Sequence, residues 1–445
     1  MTQYKSTARK STLDKVLFGA MSLLALLGLL CIMSAVNGSG FSASVVRTHL
    51  IALPLGFCAF MVGWSFNYQI FDEQWKPLYG IIWALLVGVL IFGTYQRGSK
   101  SWFVLPFFSF QPAELCRVLV LLVSAAFLDR QGRRIRDMRT LILLGVLIVP
   151  VFGLIMMQPD FSSIVITFPA LLILLYCAGV NTFYLSLVAV FAAVAGFFTI
   201  AWTYLYLHPA LRDYALLNVF AELSGKAWYI AGFVALVGLL TYIAWWIFKQ
   251  LRITLPVFYF VLVALVVLAG FFAGVFVDRQ MKPYQRKRVE AFLAPQSDPQ
   301  GASYNVLQAQ IAMGSGGVWG KGLFSGTQSR LGFVPEKHTD FILAVVGEEL
   351  GLWGTLLVLV LYLLILWRIV IIAYMASDRY GYLVCGGIFG MFLTYMLINF
   401  GMLIGLFPVA GIPLPFISYG GSNLVSSMLA LGVVQSVYAR RITSA

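Results

Sequence analysis

Between Pro335 and Asp340 the chain places Glu336, His338, Thr339 and Asp340 at the start of a long apolar run. Carboxylates and an imidazole this close, where polar chain meets hydrocarbon, offer proton transfer to a substrate that is itself anchored in lipid. Asp340 has two readings. It could be a general base that takes the proton of an attacking hydroxyl, or an acid that complements a helix dipole, with Thr339 as a nearby cap. If a diphosphate leaves in the same reaction, cations that stabilise developing negative charge can replace a general acid.

The segment 278–340 is rich in such cations: Arg279, Lys282, Arg286, Lys287, Arg288, Lys321, Arg330 and Lys337. They are either the incidental charges of a long loop or the holders of an anionic headgroup such as a lipid-linked pyrophosphate. Which of Arg286, Lys287, Arg288, Lys321 and Arg330 would do so cannot be read from spacing. Glycines crowd the stretch from Ala309 to Gly322, and such residues let a backbone approach a ligand closely or merely punctuate a loop. Asp340 and Glu336 are oxygen donors that a divalent cation (Mg2+ or Mn2+) would accept, but no dedicated metal cage is evident.

A membrane must position these residues. Of the 445 residues, 61% are hydrophobic and only 11% charged, against roughly 45–50% and 25% in a soluble domain, which excludes an ordinary cytosolic enzyme. The 30 Lys+Arg outnumber the 17 Asp+Glu, yet they lie mainly between apolar runs, where they set topology and meet anionic lipid, so nucleic acid is not implied. The five cysteines fall in apolar runs without CxxC spacing, and three histidines are too few for a histidine-rich metal site. The run from about Val16 to Val36 reads as a retained span rather than a cleaved signal.

Twelve stretches of about bilayer length follow, near 16–36, 49–66, 77–93, 113–128, 141–157, 161–179, 183–206, 227–248, 253–277, 341–372, 381–406 and 413–438. They predict an all-α, polytopic transmembrane helical bundle. With twelve spans, Lys5, Arg9, Lys10, Lys15, the five arginines between Arg130 and Arg139, Lys249, Arg252, Arg368, Arg379, Arg440 and Arg441 share one face. The positive-inside rule makes that face cytoplasmic, together with both termini, and leaves 278–340 outside.

Charges inside spans are costly unless paired or hydrated. Glu114 and Arg117 are three residues apart, hence on one helix face beside Gln111, and Asp160 stands between two apolar runs. Either Arg117 pairs with Glu114 or Asp160 to lock helices together, or these groups line a polar cavity leading to Asp340. Glu348 and Glu349 lie two to three turns beyond Asp340, and at least one of them is expected to be structural. Trp102 and the aromatics near Phe107–Phe110 are most simply an interfacial belt. At the last span, Gly420 and Gly421 suit close packing, whereas Ser418 and Ser422 could offer hydroxyls to a headgroup.

The sequence resembles the SEDS family of bacterial envelope proteins (shape, elongation, division, sporulation), to which RodA and FtsW belong. The matching segments are Phe110–Glu114, Gln158–Asp160, Arg288–Pro299, Gly314–Gly322, Gly326–Ser329, Pro335–Ile342, Glu348–Gly351 and Pro413–Ser422. Gly326-Thr327-Gln328-Ser329 is more like the RodA branch than the FtsW branch. The resemblance implies one integral-membrane domain with a large extracytoplasmic catalytic loop at 278–340. The implied activity is a glycosyltransferase that polymerises lipid II at the outer face of the cytoplasmic membrane. It implies Asp340 as the catalytic residue, and Trp102, Gln328 and Ser329 join the substrate-binding candidates. The implied partners are lipid II, undecaprenyl-diphosphate-linked glycan, a class B penicillin-binding transpeptidase and the rod-elongation machinery. An FtsW-like division enzyme, a lipid II flippase and a transpeptidase scaffold are the alternatives. The chain departs from the family's ten-helix core by about two extra helices at 207–277, and Arg117 stands where the RodA branch often has lysine.

Overall fold

The computed structural model describes residues 13–36, 42–96, 99–104, 109–281, 283–294, 302–330 and 337–441. In chain order the elements are α1 (Lys15–Val36), α2 (Ser42–Ser65), α3 (Gln69–Glu73), α4 (Trp75–Phe92), the strands β1 (Thr94–Gln96), β2 (Ser99–Val104) and β3 (Ser109–Phe110), then α5 (Pro112–Arg130), α6 (Met138–Met157), α7 (Phe161–Ala178), α8 (Thr182–Leu207), α9 (Ala215–Glu222), α10 (Ala227–Gln250), α11 (Val257–Gln280), α12 (Pro283–Leu293), α13 (Ala302–Ser315), α14 (Thr327–Arg330), α15 (Ile342–Tyr374), α16 (Arg379–Leu403) and α17 (Gly421–Ala439). Each of the twelve apolar stretches forms a long helix, as hydrocarbon requires of backbone that must satisfy itself.

Among the described residues, eleven of these helices are long and apolar enough to cross a membrane. The twelfth, α5, carries Glu114, Arg117, Asp129 and Arg130 in its 19 residues, yet nearly all of it is buried by its neighbours. The protein is an all-α integral membrane bundle with one small antiparallel sheet, ordered β1-β2-β3. Two boundaries differ from the hydropathy pattern. Helix α2 begins at Ser42, ahead of the apolar run, whereas α17 begins only at Gly421, because Pro413 and Pro415 lack the N–H that a helix interior needs.

The chain divides into two compact units, Met1–Val180 with Asn305–Ala445, and Asn181–Tyr304. The second unit takes in the whole 207–277 stretch together with α8 and α12. Its core is aromatic: Phe198, Trp202 and Phe271 pack with Leu223 and Val275. Gly270 and Gly274 of α11 lie where a Cβ would come within 2.9 and 3.0 Å of the α8 carbonyls of Phe191 and Ala195, so small residues set this helix approach.

The first unit has two chemically distinct ends. At one, Arg368 pairs with Asp14, and Arg130 pairs with Asp72. There also Arg379 donates to the Ala178 carbonyl at 2.9 Å, and Arg440 to the Ser65 carbonyl at 3.0 Å. These basic side chains fasten the ends of α2, α5, α7, α15 and α17. At the opposite end gather the close of α1, the starts of α5, α7, α15 and α17, and the polar residues described next.

Candidate functional site

The glycine-rich stretch has a definite task. Helix α15 is broken at Gly351, whose φ of 66° and ψ of −160° are not helical. In an unbroken helix the N–H groups of Leu352 and Trp353 would donate to the carbonyls of Glu348 and Glu349. Instead they donate to Gly317 and Val318, at 3.0 and 3.5 Å, and the vacated carbonyls accept from Lys321 at 3.0 Å and Gly322 at 2.9 Å. The loop is thus inserted into the helix, and the backbone groups freed by the break are satisfied within protein. Only glycine permits the approach. A Cβ on Gly316 would lie 2.0 Å from the Gly347 carbonyl oxygen, and one on Gly320 would lie 2.2 Å from that of Glu349.

Side chains fix the same insertion. Glu348 is fully buried, and its Oε1 accepts from Lys321 Nζ at 2.9 Å, Thr327 Oγ1 at 3.1 Å and the Gln328 N–H at 2.8 Å. Lys321 gives its other donors to Ser315 and Thr327, at 2.7 and 2.8 Å. All three of its protons are therefore used within the chain. Glu349 accepts from Ser34 of α1 at 2.5 Å and from the Phe324 N–H at 3.3 Å. Both glutamates are structural anchors of the loop.

Asp340 stands in a turn two residues before α15, partly exposed, with Lys337 and Thr339 buried on either side of a half-buried His338. The N-cap position is Phe341, two residues past Thr339. Burial pushes the Lys337 ammonium below the usual lysine range, and Glu348 opposes that shift.

The Pro413–Ser422 segment is fastened directly to this turn. Tyr419 donates its N–H to the His338 carbonyl at 2.8 Å, and its ring lies 5.5 Å from the His338 ring and 6.4 Å from that of His49. His49, on α2, is fully buried with both ring nitrogens unpartnered. Ser418 accepts from the Leu414 N–H at 2.8 Å, and Ser422 accepts from the Gln111 N–H at 2.8 Å while donating to the Ser109 carbonyl at 3.1 Å. Both hydroxyls are buried and organise backbone.

The intramembrane charges form one connected network. Arg117 donates to Glu114 at 2.8 Å and to the Ser163 hydroxyl at 3.0 Å. Ser163 in turn donates to Asp160 at 2.6 Å, and Gln111 donates to the same oxygen at 2.8 Å. Glu114 also accepts from Tyr395 at 3.3 Å and Asn423 at 3.2 Å. Two carboxylates and one guanidinium, all buried, thereby tie α5 and α7 to α16 and α17. The pairing of Arg117 with Glu114 is direct; its link to Asp160 runs through Ser163. Tyr395, Asn423 and Ser163 were not singled out from sequence, although a polar residue inside an apolar run is itself a signal.

The remaining candidates are dispersed. Trp102 is half-buried on β2, where its carbonyl accepts from Thr94 at 3.1 Å. Arg286 and Arg288 belong to the second unit. There Arg286 donates to Asp278 at 3.0 Å and lies over the Tyr206 ring, and Arg288 is partly buried. Glu336, the Ser329 side chain, Lys282 and the Phe107–Phe108 part of the aromatic run lie outside the described residues. Among the described residues no group of three His, Cys, Asp or Glu side chains could hold a metal ion.

The fold and this polar end define a polytopic membrane protein with a carboxylate in the turn that precedes one of its long helices. The FtsW/RodA/SpoVE family profile, described as "Cell cycle protein", matches residues 14–238 and 219–442. The chain belongs to that family. It is 32% identical over 436 residues to the peptidoglycan glycosyltransferase MrdB of Escherichia coli K12, covering 97% of this chain and 96% of that one. It is 30% identical over 442 residues to the peptidoglycan glycosyltransferase RodA of Treponema pallidum, covering 97% and 99%. Among solved structures, the rod shape determining protein RodA of Thermus thermophilus shares its fold with a TM-score of 0.60 at 22% identity, covering 97% and 98%. A protein in a structure titled for a peptidoglycan synthase complex matches with a TM-score of 0.62 at 23% identity, covering 97% and 99%.

Proposed function

We propose that this chain is a peptidoglycan glycosyltransferase of the RodA kind, which polymerises lipid II into glycan strands for cell elongation. Full-length similarity to relatives named for that activity carries the assignment. The basic end of the first unit faces the cytoplasm of a bacterium, by the preference of arginine and lysine for that side. Asp340 then faces outward, where lipid II presents its sugars.

In the proposed reaction the Asp340 carboxylate takes the proton of the acceptor's 4-hydroxyl as that oxygen attacks the anomeric carbon of the lipid-linked chain. The glycosidic bond to undecaprenyl diphosphate breaks, and the departing oxygen carries the electron pair away as phosphate charge. Lys321 and Arg117 are already committed to Glu348 and Glu114, so stabilising that charge falls to other basic side chains. The network of Glu114, Arg117 and Asp160 supports the site by holding the starts of α5 and α7. A class B penicillin-binding transpeptidase is the proposed partner, which would crosslink the strands.

The test is polymerisation of labelled lipid II by purified protein together with that partner. Glycan polymer from the wild type and none from a folded Asp340→Asn variant is the expected result. Full activity of the variant would remove the general base. Translocation of lipid II without polymer would favour a flippase instead.

A further inference from the structure

The break in α15 poses a question of balance. A straight helix would return the Leu352 and Trp353 N–H groups to Glu348 and Glu349, releasing the loop amides and carbonyls to water. The backbone exchange alone therefore gives the inserted state little advantage, because it trades hydrogen bonds one for one. What distinguishes the two states is the acidic side chains: Glu349 accepts from the Phe324 N–H, and the fully buried Glu348 accepts from the loop residues Lys321, Thr327 and Gln328.

We propose that Glu348 is a positioning residue: through Lys321, Thr327 and Gln328 it clamps segment 317–328 into the broken helix and so fixes the short helical arm 342–350 that follows Asp340. Lys321 serves as the counter-charge of this clamp rather than as a headgroup ligand, since its three donors are already satisfied. The inserted loop also carries the left-handed turns at Gly317, Gly320 and Gly322, a shape that side chains resist and that needs an anchor to persist. The link to catalysis rests on the role proposed for Asp340; the clamp itself does not.

Hydrogen exchange on the full-length protein separates the two. In Glu348→Gln and in Lys321→Met, amides of Lys321, Gly322 and Leu352 should exchange about tenfold faster or more, while α16 keeps its protection. Lys321→Arg, which retains the ion pair, should keep the protection. In polymerisation assays Glu348→Gln and Lys321→Met should lower kcat about tenfold with KM little changed. Unchanged exchange in Glu348→Gln overturns the proposal. So does acceleration that spreads through α16, or a Lys321→Met variant that raises KM alone. If the wild type makes no polymer, the enzymatic reading fails and the exchange data still decide the clamp.

Discussion

Tyr419 donates its backbone N–H to the carbonyl of His338 at 2.8 Å, two residues before Asp340. The last specific motif of the chain thus fastens the carboxylate-bearing turn, and the Tyr419 ring lies near those of both His338 and His49. Removing the ring by Tyr419→Ala should slow polymerisation by roughly ten- to a hundredfold, the usual cost of a misplaced reactive group. Tyr419→Phe keeps the ring and should retain most of the rate. Equal loss in both would mean that the phenol oxygen, not the ring's packing, matters.

His49 supplies a stability test. An imidazole buried without partners for either nitrogen costs about 1–3 kcal/mol. His49→Phe keeps a ring against Tyr419 and removes the unpaired groups, so thermal unfolding in detergent should shift upward. A downward shift would show that one ring nitrogen has a partner in solution.

The Arg117 network predicts a graded series. Arg117→Met leaves Glu114 buried without its counter-charge and should cost about 3–5 kcal/mol, even though Tyr395 and Asn423 still donate to that carboxylate. Arg117→Lys keeps the charge but has no second fork to reach Ser163, so the loss should be smaller. Equal unfolding midpoints for the two variants would contradict this account.

Much of this was legible in the sequence, and the rest was not for a physical reason. Hydropathy is local, so it located all twelve long helices and the charges Glu114, Arg117 and Asp160 within them. The break at Gly351 depends on chain more than thirty residues away, where Gly317 and Val318 accept the displaced N–H groups. A glycine-rich loop and a Glu-Glu-Leu-Gly string show no such pairing until both are in place. Likewise a hydroxyl before an apolar run places a cap near Thr339, whereas the N-cap position falls two residues later, at Phe341.

Lys337 gives a pH test. Burial lowers its proton affinity in the fold relative to the unfolded chain, where the ordinary value is 10.5. Between those two values the unfolded state binds more protons, so stability should rise with pH, and the penalty is fully present below the folded value. Thermal unfolding from neutral pH to about pH 10 should show the rise in the wild type. Lys337→Met should flatten it; an identical profile in the variant would assign the effect elsewhere.

The glycines of the inserted loop allow the sharpest comparison. Gly317 and Gly320 both have left-handed backbone, with φ of 57° and 77°, so alanine at either should cost about 1–2 kcal/mol in conformation alone. Only at Gly320 does the new methyl also meet backbone, 2.2 Å from the Glu349 carbonyl oxygen; at Gly317 nothing lies within 4 Å. Gly317→Ala should therefore leave the loop seated, with a modest loss of stability. Gly320→Ala must push Lys321 and Gly322 away from the broken helix, stranding the Glu348 and Glu349 carbonyls, and should abolish most polymerisation at normal expression. Equal activity in the two variants would mean that the loop does not occupy the break in the working enzyme.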